Sequence, residues 1–120
     1  MDIFDNPSTK LDMRAGSVLS IPAGQTAHSD FTFTEMRYLT GATYFREGGN
    51  FDDTLTLQMV HPLIGVIDQF ATDIYMSVGT NGYQFYKATV PAGLIARVIY
   101  KNNGSQDARF AFNLILHKDR

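Results

Sequence analysis

Turn-forming residues punctuate this chain repeatedly, and no stretch between them carries the pattern of an amphipathic helix of ordinary length. Pro22-Ala23-Gly24, Gly48-Gly49-Asn50, Gly79-Thr80-Asn81-Gly82, Pro91-Ala92-Gly93 and Asn102-Asn103-Gly104 divide it into segments. Those segments are rich in Val, Ile, Thr, Tyr and Phe, the side chains that fit a pleated surface. Strands recurring about every eight to twelve residues with such punctuation describe an all-β sandwich or a small barrel. The sequence predicts an antiparallel β-sandwich of jelly-roll type, residues 16–120, preceded by an irregular N-terminal arm, residues 1–15.

Ser17-Val18-Leu19-Ser20-Ile21 reads as a strand ended by the first Pro-Ala-Gly turn. Phe31-Thr32-Phe33-Thr34 and Met36 to Phe45 read as two strands, or as one broken by a bulge near Gly41. Leu55, Leu57 and Met59 alternate onto one face of a half-buried strand. Between Pro62 and Ser77 the period is ambiguous: Ile67, Phe70 and Ile74 have helical spacing, which favours a short helical turn before a strand. Asn81-Gly82 suits a type I′ hairpin turn. The segments Leu94 to Lys101 and Arg109 to Leu116 alternate about Gly104 and are expected to form a closing hairpin. Leu55, Leu57, Val98, Phe110, Phe112 and Leu116 are the expected core.

One packing unit is all that 120 residues allow. Hydrophobic residues at 44% against 18% charged exclude a disordered chain. A net charge of −2 gives no basic footprint for nucleic acid or anionic lipid. Zero Cys removes disulfides, thiolate nucleophiles and Cys-based zinc sites. The start, Met1 to Pro7, lacks the basic and apolar regions of a secretory signal, and no stretch approaches the length of a membrane span. A soluble protein without a Sec-type signal is expected, with neither nucleic acid nor membrane as a partner.

The chemistry-bearing residues form no constellation. His28, His61 and His117 fall on separate strand ends, without the close pair of a metal site. No Gly-x-Ser-x-Gly elbow, Ser-x-x-Lys motif or phosphate loop occurs. Asp52 and Asp53 are adjacent, so a pleat turns them apart. The loop Gly48 to Asp53 has oxygen ligands suited to calcium but too few of them, and reads as a solvated turn. No catalytic, cofactor-binding or metal-ligating residue is therefore assigned, no cofactor is expected, and the protein is read as a non-enzyme. Tyr38, Tyr44, Tyr83 and Tyr86 are candidates for a sugar-stacking platform, although a core or subunit-interface role is the favoured reading of these rings.

In the C-terminal quarter, Val90-Pro91-Ala92-Gly93-Leu94, Arg97-Val98-Ile99-Tyr100-Lys101-Asn102 with Gly104, and Asn113-Leu114-Ile115-Leu116-His117-Lys118 resemble the closing hairpin of small β-sandwich structural proteins of tailed-bacteriophage virions. The resemblance implies a capsid decoration, vertex or head-tail part, located in the virion and assembled in the host cytoplasm. It also implies a homo-oligomer that contacts other virion proteins such as the major capsid protein, and it carries no functional residue across. The arm fits that picture, because Ile3, Phe4, Leu11 and Met13 match neither a strand nor a helix face and would find their apolar surroundings on another subunit. The alternative reading is a carbohydrate-binding β-sandwich module with a glycan as partner.

Overall fold

The turn at Pro22-Ala23-Gly24 fixes where the first strand stops. In the computed structural model Gln25 N–H donates to the Pro22 carbonyl at 3.0 Å, and Gly24 sits at φ +74°, a left-handed conformation that costs a residue without Cβ nothing. Pro91-Ala92-Gly93 repeats the device: Leu94 N–H donates to the Pro91 carbonyl at 3.3 Å, with Gly93 at φ +82°. The structure describes residues 13–75, 81–84 and 88–118, so the arm as far as residue 12 and the Gly79-Thr80 part of the expected hairpin lie outside the described residues.

Among the described residues nine strands follow in order: β1 Met13–Ile21, β2 Thr26–Thr32, β3 Arg37–Gly48, β4 Thr54–His61, β5 Gly65–Tyr75, β6 Asn81–Gln84, β7 Ala88–Val90, β8 Ile95–Lys101 and β9 Ala108–His117. One sheet has the order β1-β9-β3-β6, with β7 also on β3, and the other has β2-β8-β4-β5. Every pairing is antiparallel. β6 lies against Ala42 to Phe45 of β3 and β7 against Arg37 to Leu39, so the two together fill the place of one strand.

The pairings are nested. β4 pairs β5, β3 pairs β6 and β7, β2 pairs β8, and β1 pairs β9. This is one long hairpin rolled into two sheets, the jelly roll, with the β4–β5 turn as its tip. β1 begins at Met13, so three residues read as arm are strand residues opposite Leu116 to Leu114.

Alternation decides which side chains meet between the sheets. Leu55, Leu57, Val98, Phe110, Phe112 and Leu116 are all buried, together with Ile21, Leu39, Val90, Tyr100 and Leu114. Phe110 is the hub: its ring lies 5.1 Å from Tyr100 across the sandwich, 5.5 Å from Tyr44 and 5.6 Å from Phe112, which meets Phe31 edge-on at 5.8 Å.

Three local expectations are corrected. β8 and β9 are not a hairpin: they belong to different sheets, and Asn102 to Asp107 carries the chain between them. The helical turn after Pro62 is absent; Pro62 to Ile64 is the hairpin turn and β5 starts at Gly65. Asn81-Gly82 is no turn but part of β6, opposite Phe45 and Tyr44. Of the two readings of residues 31–45 the two-strand one holds, since β2 ends at Thr32 and β3 lies in the other sheet, and a register shift between Leu39 and Gly41 falls inside β3.

Truncating a ring packed against the hub should be costly. Phe112→Ala is expected to lower stability by about 3–5 kcal/mol in urea unfolding, because the cavity sits between two packed sheets.

Candidate functional site

Among the described residues the ionisable side chains that are buried together lie at one end of the sandwich, and they serve the fold. Asp53 is fully buried. Its Oδ2 accepts from Tyr100 Oη at 2.5 Å and from Asn50 N–H at 2.9 Å, and its Oδ1 accepts from Asn103 N–H at 2.9 Å and from Asn50 Nδ2 at 3.3 Å. The Arg46 guanidinium stands 3.9 Å away and donates to the Asn50 carbonyl at 2.8 Å. Burial, and then the hydrogen bond to this carboxylate, push the Tyr100 hydroxyl well above the ordinary tyrosine range.

Asn50 and Asn102 extend the cluster across three connections. Asn102 Nδ2 donates to the Ile21 carbonyl at 3.0 Å and its Oδ1 accepts from Asn50 Nδ2 at 2.7 Å, while Gln106 N–H donates to Asn50 Oδ1 at 3.1 Å. The turn after β1, the loop after β3 and the loop after β8 are thereby tied together. Gly49 and Gly104 make room for it: a Cβ on Gly49 would lie 2.9 Å from both Asp53 Oδ2 and Tyr100 Oη, and one on Gly104 would overlap the Asn50 side chain. The loop weighed as a calcium site thus has its buried carboxylate committed to internal donors on both oxygens, while Asp52 faces solvent.

The histidines stay apart. His28 lies on β2, 4.0 Å from Asp30; His61 ends β4; His117 ends β9 in the other sheet. Among the described residues no group of three or more metal-ligating side chains forms. Among the described residues Tyr38 and Tyr44 do not present a shared stacking face. Tyr44 packs its ring on Phe110 in the core and Tyr38 is half-buried, while the side chain of Tyr83 and all of Tyr86 lie outside the described set.

What the surface does offer is apolar. At the β4–β5 tip Leu63 and Ile64 are 88% and 77% exposed, followed by exposed Val66 and Ile67. This tip is held: His61 Nδ1 accepts the N–H groups of Leu63 at 3.1 Å and Ile64 at 3.4 Å, so the imidazole fixes the turn that displays them. On the outer face of the sheet containing β1, the register sets Val18, Ala111 and Phe45 side by side across β1, β9 and β3. Val18 and Phe45 are 57% and 52% exposed, and the three form the floor of a depression of about 580 Å³ rimmed by Gly16, Thr43 and Asn113. Gly16 keeps the rim low, since a Cβ there would collide with Asn113 Oδ1 and come within 2.6 Å of the Phe112 carbonyl. Sequence reasoning missed the tip. The signal was an apolar pair bracketed by Pro62 and Gly65, where a turn leaves no core to enter.

The fold and this surface define a jelly-roll β-sandwich with exposed apolar faces. No protein-family model and no curated protein matches the chain. Among solved structures it is similar to the Yersinia pseudotuberculosis-derived mitogen, with a TM-score of 0.51 and 17% identity over 90% of this chain and 89% of that one. It overlaps less well with PliG, a periplasmic inhibitor of g-type lysozyme from Aeromonas hydrophila, at a TM-score of 0.44 and 12% identity over 85% of each chain. A structure of infectious bursal disease virus gives 0.43 and 9% identity over 88% of this chain but 32% of that one. At such identities the first of these speaks for the β-sandwich fold alone.

Tyr100→Phe removes one donor from a buried carboxylate and is expected to cost about 1–3 kcal/mol in urea unfolding. A second expectation concerns pH. The bidentate hydrogen bond from Arg97, at 2.8 and 2.9 Å, holds the Asp30 carboxyl below its ordinary value of 3.8. A folded pKa below the unfolded one gives stability that is complete above the unfolded value and lost as pH falls through the folded one. Arg97→Gln should therefore lower the melting temperature at neutral pH and narrow the difference from the parent below pH 3.8, as read by melting curves across pH.

Proposed function

We propose that the protein is a non-enzymatic, self-associating structural component of a phage virion, a capsid decoration, vertex or head-tail part. The observation that carries the self-association is the exposure of large apolar side chains on both the tip and the outer sheet face. Isolated exposed apolar residues are ordinary, but contiguous ones mark surfaces that bind. Jelly rolls recur in capsid proteins, which is a likeness of fold and not of site. The virion assignment leans on the resemblance of residues 90–118, with its paired strands now known to lie in separate sheets.

The non-enzymatic reading is supported by what the ionisable groups are doing. Asp53, Tyr100 and Arg46 are engaged with each other inside the sandwich, out of reach of a substrate. The arm contributes Ile3, Phe4 and Leu11 as further apolar area for a neighbouring subunit or for other virion proteins such as the major capsid protein.

Light scattering coupled to size exclusion on the full chain tests the proposal. A defined oligomer is expected, and a strict monomer at about 100 µM would sink the self-association. Removing residues 2–12 should leave the melting temperature within about 2 °C of the parent while shifting the elution toward smaller species.

A further inference from the structure

We propose that the β4–β5 tip of one copy seats in the depression on the outer face of β1, β9 and β3 of the next copy. The contact is head-to-tail. This inference rests on the self-association reading and specifies its interface.

The two surfaces match in character. Leu63 and Ile64 form a knob whose backbone is already fixed by His61 Nδ1, so seating it orders little further chain. The depression has a wholly apolar floor in Val18, Ala111 and Phe45, and no charged side chain lines it. A volume of about 580 Å³ accommodates both tip side chains. Thr43 and Asn113 at its rim supply hydrogen-bonding groups for the polar backbone of an inserted turn. Apolar centre and polar rim are the anatomy of a protein interface.

Size argues for more than the knob. A stable interface buries about 800 Å² per partner, more than two side chains provide. Exposed Val66 and Ile67 continue the tip along β5. These give the seated hairpin a second line of contact. A lipid surface fits less well, because the net charge is −2 and Asp68 follows the exposed Ile67 directly.

Symmetry follows from placement. Knob and depression are different surfaces, in opposite sheets of one chain, so the contact is heterologous. Copies joined this way close into a ring or run on as a filament.

The test uses two variants of the full chain, Leu63→Lys on the knob and Val18→Lys on the depression. Both positions are exposed, and equal charges prevent a new ion pair on mixing. Each variant alone is expected to elute as a monomer with a melting temperature near the parent's. An equimolar mixture at about 100 µM should give a dimer and nothing larger, because one intact knob then meets one intact depression. Ile64→Lys and Thr43→Lys form a second pair should either first variant melt early. If both variants are monomeric and the mixture stays monomeric, knob and depression are not each other's partners and the inference fails. Variants that assemble like the parent overturn it too, while leaving self-association intact. A monomeric parent removes the self-association reading itself.

Discussion

The Asp53 carboxylate is the point on which the sandwich closes. A jelly roll has to carry its chain from one sheet to the other several times, and each crossing exposes backbone groups that neither ladder can satisfy. At one end the crossings after β1, β3 and β8 solve this jointly, through Asn50, Asn102, Asn103 and Tyr100 converging on Asp53 or on each other. A fully buried carboxylate is expensive unless every lone pair is occupied, and here both oxygens accept two bonds. The network is conditional on two glycines, since a Cβ at position 49 or 104 would occupy the space its polar atoms use.

From that fixed end the strands run toward the opposite end, where the β4–β5 turn projects apolar side chains into solvent. The two ends use their polar groups differently. One end spends its polar groups on internal satisfaction, and the other spends a histidine on holding Leu63 and Ile64 outward. The central aromatic cluster couples the two sheets between these ends, with Phe110 touching Tyr100 on one side and Phe112 and Tyr44 on its own.

Much of this was legible in the sequence. Both Pro-Ala-Gly turns and the six expected core residues are where alternation and turn chemistry put them, and an irregularity falls near Gly41 inside β3. Pairing was not. Alternation reports which face of a strand is buried and is silent on which strand lies beside it, so β8 and β9 looked like a hairpin although Asn102 turns the chain across the sandwich. β5 was misread for a different reason. Its register against β4 slips three times, with Leu57 opposite Ala71 but Gln58 opposite Gln69, and each slip adds a residue on β5. Extra residues break the period of two and leave Ile67, Phe70 and Ile74 at intervals that imitate a helix. The tip escaped because Leu and Ile count as core in any pattern, and only the three-dimensional turn shows that they have nothing to pack against.

The nested pairing has a consequence for how the molecule comes into being. Only β4 and β5 are joined by a short connection; every other pair closes a longer loop, up to Met13 against Leu116. Loop-closure entropy makes such distant contacts slow to form, so the hairpin at the tip is the natural nucleus, and the remaining pairs zip outward from it. During synthesis β1 leaves the ribosome first and is paired last, when β9 has emerged behind it. Its unpaired edge then stays open while the strands from β2 to β9 are translated, an interval in which it is a template for pairing with another chain.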